Sequence, residues 1–530
     1  MKVLLFAPYA KVWQHVILES QLERLLTQLG HEVIIVQCSE SFISFCQMHE
    51  TSGLKVGSSL SERKEICRSC TKNGLAGHRK SSVRQKLIEY VQEQDKLRIE
   101  KFVDDVNNSN LELLNFDGQP VGKIALAEIV LRYKKRDFQL SSEQFEHFKK
   151  ILENVITTIL SGERLLRTIE PDVILGLNPG YAVPASFYKL AMTLGFRTLY
   201  LDGGPSIDDL SKSVTLWDFQ KYGMTNPAKE IWVRSNYVPT REDCKKVKLY
   251  LKKLRSSKLA WTYSSAPKKL SSREFFKIPK ESKLFLLAMN SFDEVIALGL
   301  LDAGYEMRFQ SRVFQTQIEW VQFTIDYFRD NPNNYLIIRP HPREMPNKRE
   351  GQISESAHEW KNFLLHKPNN VIIDSPDLGF SIYDHFDDID ALVTGWSSTA
   401  IEAMYLGIPV VTYDSELLGF PSDLAYSGGS IKDYVSNLNQ ISRSTLRIDA
   451  SQSESWLAFH NYAGRIYLGG GLLDRYPFTL ITKGSLLHRA FVKLIPLVIK
   501  KLDMLMPASR QDKGLLGRII AGSLDNLYIR

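Results

Sequence analysis

The stretch from Asp388 to Tyr413, DIDALVTGWSSTAIEAMYLGIPVVTY, constrains the fold more than any other part of this 530-residue chain. An apolar run over residues 391–393 stops at Thr394, and apolar residues then recur at helical spacing up to Leu406. A glycine ends that helix, and a second apolar run begins at Pro409. The pattern predicts strand, turn, helix and strand. Such a βαβ crossover implies a parallel sheet with helices on its faces.

The turn between this strand and helix is a candidate anion site. It places hydroxyl groups and unpaired backbone N–H groups at the N-terminus of a helix, which is a common phosphate-binding arrangement. Serine and threonine are also the ordinary N-caps of helices, so capping alone explains the turn equally well. The candidate phosphate ligands are Gly395, Ser397, Ser398 and Thr399.

Length and composition indicate a soluble globular protein of about two to four domains. The chain is 44% hydrophobic and 24% charged, as is usual for such proteins. Its N-terminal run, MKVLLFAPYAKVW, is too short to span a membrane and lacks a small-residue cleavage site, so we interpret it as a first strand. We therefore expect a cytoplasmic protein, and we expect no nucleic-acid partner.

The first half predicts a Rossmann-like domain over residues 1–270. A strand over Lys2–Ala7, a helix over Gln14–Leu29 and a strand over Val33–Gln37 form its opening, and the strand–helix–strand pattern returns over residues 172–201. Residues 83–106 and 142–169 carry Lys, Glu, Gln and Leu at helical spacing, which predicts helices inserted into or flanking the sheet.

Four of the five cysteines lie between residues 38 and 70 in this first half. One Cys-x-x-Cys pair with two nearby thiols could supply four tetrahedral ligands to a structural zinc ion. The spacing is irregular, and unliganded thiols are common in cytosolic proteins, so both interpretations stay open. The residues are Cys38, Cys46, Cys67 and Cys70.

An Asp-Gly-Gly segment follows the predicted strand that ends near Leu201. Gly203 and Gly204 would let a ligand approach the backbone at the carboxyl edge of a parallel sheet. Asp202 or Asp208 could act as a general base for an incoming hydroxyl group. A plain turn with solvated carboxylates is the alternative.

The second half predicts another doubly wound domain over residues 271–475. A strand over Lys283–Met289 ends at Asn290, with Asp293 and Glu294 just beyond it as candidate cleft residues. A further strand, residues 335–338, runs into Arg339-Pro340-His341-Pro342. Because parallel strands end at one sheet edge, we expect Arg339 and His341 to face the serine turn. Prolines on both sides hold the imidazole rigidly, and a rigid cation beside hydroxyl groups suits a diphosphate or phosphodiester.

These motifs resemble those of a known class. Arg-Pro-His-Pro and the Ser-Ser-Thr turn look like the His-Pro and Ser-Ser/Ser-Thr motifs of GT-B transferases that build bacterial capsule and lipopolysaccharide. Those enzymes include bacterial sialyltransferases, capsular Kdo transferases and, more distantly, polyglycerol-phosphate polymerases. The resemblance covers roughly residues 280–415, and residues 1–40 and 172–205 more weakly.

The resemblance implies an α/β GT-B fold, with two Rossmann-like domains facing a cleft, and a transferase that uses a nucleotide-activated sugar. It implies that His341 and Ser397–Thr399 bind the donor phosphate, that Glu402 lies near the nucleoside, and that catalysis needs no metal. If His341 is protonated when the donor binds, it could also be a catalytic acid towards the phosphate oxygen. The acceptor would be a glycan or lipid-linked glycan. Sialyltransferases carry an acidic pair before a glycine, whereas this chain has Leu201 before Asp202.

The C-terminal tail, residues 476–530, is basic. From Pro477 onward it carries nine Lys/Arg and three Asp/Glu. The apolar and basic run over residues 486–506 could lie at the inner face of the cytoplasmic membrane, or the tail could pack across the first domain.

Two rival functions stay open beside the transferase. A UDP-GlcNAc 2-epimerase would share the two-domain architecture and the serine-rich turn, and a non-catalytic carbohydrate-binding protein could use a degenerate transferase fold.

Overall fold

The structure is a computed structural model with two parallel-dominated sheets, each flanked by helices. This arrangement confirms the predicted α/β fold class of two doubly wound domains. The structure describes residues 1–78, 83–204, 213–256, 266–268, 270–302, 310–346, 351–363, 366–375, 378–444, 448–468 and 510–520.

The first sheet has seven described strands. In space their order is β12-β6-β5-β4-β1-β2-β3. The run from β5 to β3 is parallel, whereas β6 and β12 add antiparallel strands at one edge. The strands are β1 Lys2–Phe6, β2 Glu32–Gln37, β3 Val83–Lys86, β4 Val173–Leu177, β5 Thr198–Gly203, β6 Ser213–Asp218 and β12 Ile466–Tyr467.

The second sheet has five described strands, all parallel, in the order β11-β10-β7-β8-β9. Its central strand β7 therefore lies between β8 and β10. The strands are β7 Lys283–Ala288, β8 Asn334–Arg339, β9 Val371–Ile373, β10 Ala391–Thr394 and β11 Val410–Val411. The crossover from β10 through a helix to β11 confirms the βαβ unit predicted at residues 388–413.

Helices cover both sheets because their apolar faces pack against buried strands such as VLLF in β1. In the described residues they are α1 Trp13–Gln28, α2 Gln47–Thr51, α3 Leu60–Gly77, α4 Glu93–Asp104, α5 Val121–Tyr133, α6 Ser142–Ile169, α7 Ala182–Thr193, α8 Phe219–Tyr222, α9 Ala228–Arg234, α10 Arg241–Arg255, α11 Ser272–Phe275, α12 Phe292–Leu301, α13 Gln317–Asp330, α14 Glu355–Phe363, α15 Ile382–His385, α16 Thr399–Tyr405, α17 Ile431–Arg443, α18 Ala450–Tyr462 and α19 Arg510–Ile520.

One predicted helix begins later than expected. Residues 83–86 form the edge strand β3, which pairs with β2, and α4 starts only at Glu93. Two hydrogen bonds mark this start: the Gln92 backbone N–H donates to the Asp95 carboxylate at 2.8 Å, and the Asp95 backbone N–H donates to the Gln92 carbonyl oxygen at 3.0 Å. The prediction of a helix was wrong at residues 83–86, since polar edge strands lack the apolar alternation that identifies a strand. Residues Leu87–Tyr90 form a short 3₁₀ helix.

The chain returns to the first sheet after the second. Strand β12 pairs with β6, although it lies inside the segment predicted as the second domain. Helix α19 also contacts the first domain. Leu516 and Ile519 are fully buried, and the guanidinium of Arg197 donates to the carbonyl oxygens of Ile519 and Ile520 at 2.8 and 2.5 Å. Residues 486–506 of the tail lie outside the described residues.

The two sheets meet through α5 and α12. Ala297 and Leu301 of α12 belong to the same apolar cluster as the α5 side chains. The Leu298 side chain also lies near Gly180, in the loop that follows β4. The loop at the carboxyl end of β4 therefore faces the helix that follows β7. Within the described residues, no helix is both long and apolar enough to cross a bilayer.

Candidate functional site

Loops from three neighbouring strands meet at the carboxyl edge of the second sheet. Asn290 follows β7, His341 follows β8 and Gly395 follows β10, so the predicted shared edge is correct. The backbone N–H of Trp396 donates to Oδ1 of Asn290 at 3.4 Å. At Gly395 an added Cβ would come within 3.3 Å of the Tyr413 hydroxyl oxygen, so the turn packs tightly against its neighbours.

The hydroxyl groups of the serine turn have two kinds of surroundings: some cap the helix, and one is exposed to solvent. The Ser397 hydroxyl accepts from the Thr399 backbone N–H at 3.3 Å and lies 2.8 Å from the Thr399 hydroxyl. These two side chains therefore cap the helix locally. Ser398 is exposed and makes no capping hydrogen bond. Helix α16 spans seven residues, so we assign the helix dipole only a minor part and the side chains the larger one.

His341 is half-buried, and its hydrogen bonding indicates its tautomer. The backbone N–H of Arg343 donates to His341 Nδ1 at 3.3 Å. Because a backbone N–H only donates, Nδ1 acts as an acceptor and the ring proton is assigned to Nε2. A protonated ring would set two N–H groups against each other, so the contact favours neutral imidazole with a donor at Nε2.

Arg339 belongs to a buried network. Its guanidinium pairs with the Asp374 carboxylate and donates to the Phe380 carbonyl oxygen at 2.8 Å. Asp374 Oδ2 also lies 2.8 Å from His385 Nε2. Arg339 is 4% exposed. Its buried partners hold the carboxyl ends of β8 and β9 together, and its predicted contact with phosphate stays a prediction.

Asp293 and Glu294 differ in their surroundings although they are adjacent. Asp293 is buried, accepts from the Ser291 hydroxyl, and pairs with Arg343 at 2.7 Å. The Glu294 side chain is 44% exposed and lies 3.9 Å from the same guanidinium. Asp293 therefore helps to fix the loop that follows His341, and Glu294 faces solvent beside it.

Glu402 lies one helical turn beyond Thr399, on the wall of a pocket of about 920 Å³. Burial raises the pKa of its carboxyl group to about 7, while the Tyr383 hydroxyl and Arg255 lower it. Oxygen Oε2 is buried and has no hydrogen-bond partner among the described residues. Lys248 and Lys252 of α10 also line this pocket.

Asp202 lies at the end of β5, in the first sheet. Burial raises the pKa of its carboxyl group, and the nearby Arg465 guanidinium lowers it. Arg465 Nη1 donates to the Gly203 carbonyl oxygen at 2.7 Å, so this glycine contributes a backbone acceptor. Gly204 follows as partly buried loop. Asp208 lies outside the described residues.

The four N-terminal cysteines lie near one another, but the described residues contain no group of three or more His, Cys, Asp or Glu arranged to hold a metal ion. All four are free thiols. Burial raises the pKa of Cys46 and of Cys67 to about 12, which favours the protonated thiol over the thiolate that binds metal. His49 Nε2 lies 3.3 Å from the Cys67 sulfur. A zinc site at Cys38, Cys46, Cys67 and Cys70 stays a prediction.

Several residues that shape the site were absent from the sequence interpretation. Arg343 stands two positions after His341, and that proximity was the available signal. Asp374 and His385 come close to Arg339 only through folding. Arg465 likewise reaches Gly203, at the end of β5, from 262 positions away. No pattern of sequence spacing identifies such pairs.

Comparison with known proteins gives likeness in structure only. No family model matches the chain, and no curated protein matches it. Among solved structures, the chain is similar to the Thermosulfurimonas dismutans KpsC β-Kdo 2,4 transferase, at 14% identity over 56% of this chain and 81% of that chain, with a TM-score of 0.31. It is similar to the Neisseria meningitidis UDP-GlcNAc 2-epimerase, at 11% identity over 86% and 97% of the two chains, with a TM-score of 0.30. It is also similar to the calicheamicin glycosyltransferase CalG4, at 12% identity over 87% and 93%, with a TM-score of 0.26. None of these three shares more than 14% identity with this chain.

Proposed function

We propose that this protein transfers a sugar from a nucleotide-activated donor to a glycan or lipid-linked glycan acceptor, in bacterial surface polysaccharide synthesis. The observation that carries the proposal is that Asn290, His341 and the serine turn follow three neighbouring strands at one sheet edge. Three neighbouring loops there offer hydrogen-bond donors to a single anionic group, which suits the phosphate of a nucleotide sugar.

The leaving group of such a reaction is a nucleoside phosphate, on which negative charge accumulates as the glycosidic bond breaks. Fixed donors aimed at that charge stabilise the transition state more than the ground state. His341 Nε2–H and the Ser398 hydroxyl supply such donors without a metal ion. Glu402, one helical turn beyond Thr399, is proposed to lie near the nucleoside.

The base would come from the first sheet. The acceptor hydroxyl must lose a proton as it attacks, and an ionised carboxylate can accept that proton. Asp202 is the described candidate: burial raises the pKa of its carboxyl group, which makes the ionised form a stronger base, and the neighbouring Arg465 guanidinium opposes part of that rise. Asp208 is the second candidate. Contact of the tail with an anionic membrane would bring the enzyme to a lipid-linked acceptor.

The test begins with a thermal-shift screen of the purified protein against CMP, UDP, GDP, CDP and dTDP, because a ligand that binds the native state raises its melting temperature. The matching nucleotide sugar is then incubated with the protein, with and without candidate acceptors. Transfer that requires an acceptor supports the proposal. Conversion of the sugar without any acceptor identifies the epimerase instead, and binding without turnover identifies the carbohydrate-binding protein.

A further inference from the structure

A fully buried lysine lies where the first domain contacts the loop of His341. Lys134 follows α5 directly and adopts a left-handed backbone conformation, with φ of 51°. Its side chain has no exposed surface. An ammonium group is strongly hydrated in water, so burial without several partners would be very unfavourable.

The partners of Lys134 are backbone carbonyl oxygens of the second domain. Its Nζ donates to the carbonyl oxygens of Arg343, Gln352 and Met345 at 2.6, 2.7 and 3.3 Å. An ammonium group has three donors, and these three carbonyl oxygens are all within hydrogen-bonding distance of it. The ammonium group thereby hydrogen-bonds to residues 343 and 345, just after His341, and to residue 352 further along the chain.

Arg343 connects this lysine to the imidazole. Its carbonyl oxygen accepts from Lys134, and its backbone N–H donates to His341 Nδ1. Its guanidinium also donates to the Leu131 carbonyl oxygen at 2.7 Å and pairs with Asp293. The residue that orients the imidazole is thus held at its carbonyl and its side chain by the first domain and α12.

We infer that Lys134 is a positioning residue for His341: through Arg343, the first domain fixes the ring orientation and the Nε2–H tautomer of the imidazole in the second domain. The inference rests on the proposed function for its catalytic consequence, but not for its structural content. If Lys134 has this role, His341 is correctly oriented in the donor site only when the two domains are in contact at α5.

The neighbouring Lys135 provides a matched control. It is also buried at this interface, and it pairs with the Glu355 side chain at the start of α14. That contact joins the same two domains, but it does not involve Arg343 or His341. Lys135→Met therefore removes an interdomain ion pair and leaves the histidine loop in place.

The experiment compares Lys134→Met, Lys134→Arg and Lys135→Met in the full-length protein by long-range ¹H–¹⁵N correlation of the histidine rings. The chain has 11 histidines, and His341→Gln assigns the ring of interest. We expect the His341 signals to report the Nε2–H tautomer in the unaltered protein and in Lys135→Met. In Lys134→Met they should shift towards a mixture of tautomers, with partial recovery in Lys134→Arg.

Turnover provides a separate readout. We expect Lys134→Met to lower kcat at least tenfold and Lys135→Met to change it less than threefold. Unchanged His341 signals in Lys134→Met would overturn the inference whatever the activity. A tautomer change in a protein without transferase activity would uphold the inference and reject the proposed function. If Lys134→Met does not fold, Lys134→Gln takes its place. Its shorter, uncharged side chain cannot reach all three carbonyl oxygens, so we expect a smaller shift of the His341 signals, and no shift would overturn the inference.

Discussion

The backbone N–H of Arg343 donates to Nδ1 of His341 at 3.3 Å. This single contact favours a neutral imidazole whose Nε2 carries the proton, at the sheet edge that also bears the serine turn. From this contact we expect that the histidine of the Arg-Pro-His-Pro motif donates a hydrogen bond to phosphate through its Nε2–H.

Replacement of His341 by alanine should therefore lower the turnover number by about 10²- to 10³-fold, the usual loss for one transition-state donor. His341→Gln, which retains an N–H donor, should recover part of the loss. The measurement is kcat with the donor identified in the nucleotide screen. His358→Ala, at an exposed position of α14, is the control, and an equal loss in both alanine variants would remove His341 from the site.

The buried pair of Arg339 and Asp374 should contribute more to stability than any exposed ion pair. Arg339→Met leaves the Asp374 carboxylate buried beside His385, and uncompensated buried charge typically lowers the free energy of unfolding by about 3–5 kcal/mol. Arg98→Met, which removes an exposed pair with Asp117, should lower it by less than about 1 kcal/mol. Urea unfolding of both variants measures the difference. A similar small effect for both would contradict the structural role of Arg339.

Glu402 should make stability depend on pH. Its pKa is about 7 in the folded protein, above the value of about 4.3 for an exposed glutamate. Between about pH 4.3 and pH 7 the glutamate is ionised in the unfolded chain but still protonated in the folded protein. The free energy of unfolding therefore falls progressively as pH rises through this range. Glu402→Gln removes this loss.

Relative to the unaltered protein, Glu402→Gln should therefore gain about 3 kcal/mol between pH 4.5 and pH 8, because each unit of pKa difference corresponds to about 1.4 kcal/mol. Urea unfolding of the unliganded proteins at both pH values measures this gain. Glu416→Gln, at an exposed position, serves as the control. Parallel pH profiles for the unaltered protein and Glu402→Gln would show that the carboxyl group is not buried as described.

Arg465 should set the pH range of activity if Asp202 is the base. The guanidinium lowers the pKa of the Asp202 carboxyl group, so Arg465→Met should raise that pKa. The acidic limb of the kcat/KM profile should then move to higher pH by about one unit, since loss of a nearby opposite charge shifts a pKa by about 1–3 units. Arg443→Met, an exposed substitution on α17, should leave the limb in place. If the acidic limb of the Arg465→Met profile stays in place, Asp202 is not the base, and Asp208 becomes the candidate.

The positions of the parallel strands could be predicted from the sequence because their apolar runs are long and end at turn residues. β1, β4, β7, β8 and β10 all lie within a residue or two of their predicted positions. The weak edge strands could not be predicted, because β3 has the polar sequence VRQK and β12 has only two residues. Their pairing is decided by the neighbouring strand, which propensity does not describe.

The candidate site was only partly predictable for a similar reason. The shared sheet edge of His341 and Ser397 followed from the order of strands and helices. The buried partners of Arg339 did not, since Asp374 and His385 come from other loops. A basic residue in a motif therefore predicts charge at a position, and only the fold decides whether that charge meets a ligand or a buried carboxylate.

The most direct test of the account is nucleotide binding to the unaltered protein and to the double variant His341→Ala, Ser398→Ala, measured by isothermal titration calorimetry. We predict that one of CMP, UDP, GDP, CDP and dTDP binds the unaltered protein and binds the double variant at least 30-fold more weakly, about 2 kcal/mol. Equal affinity in the two proteins, or binding of none of the five nucleotides to the unaltered protein, would contradict a donor site at this sheet edge.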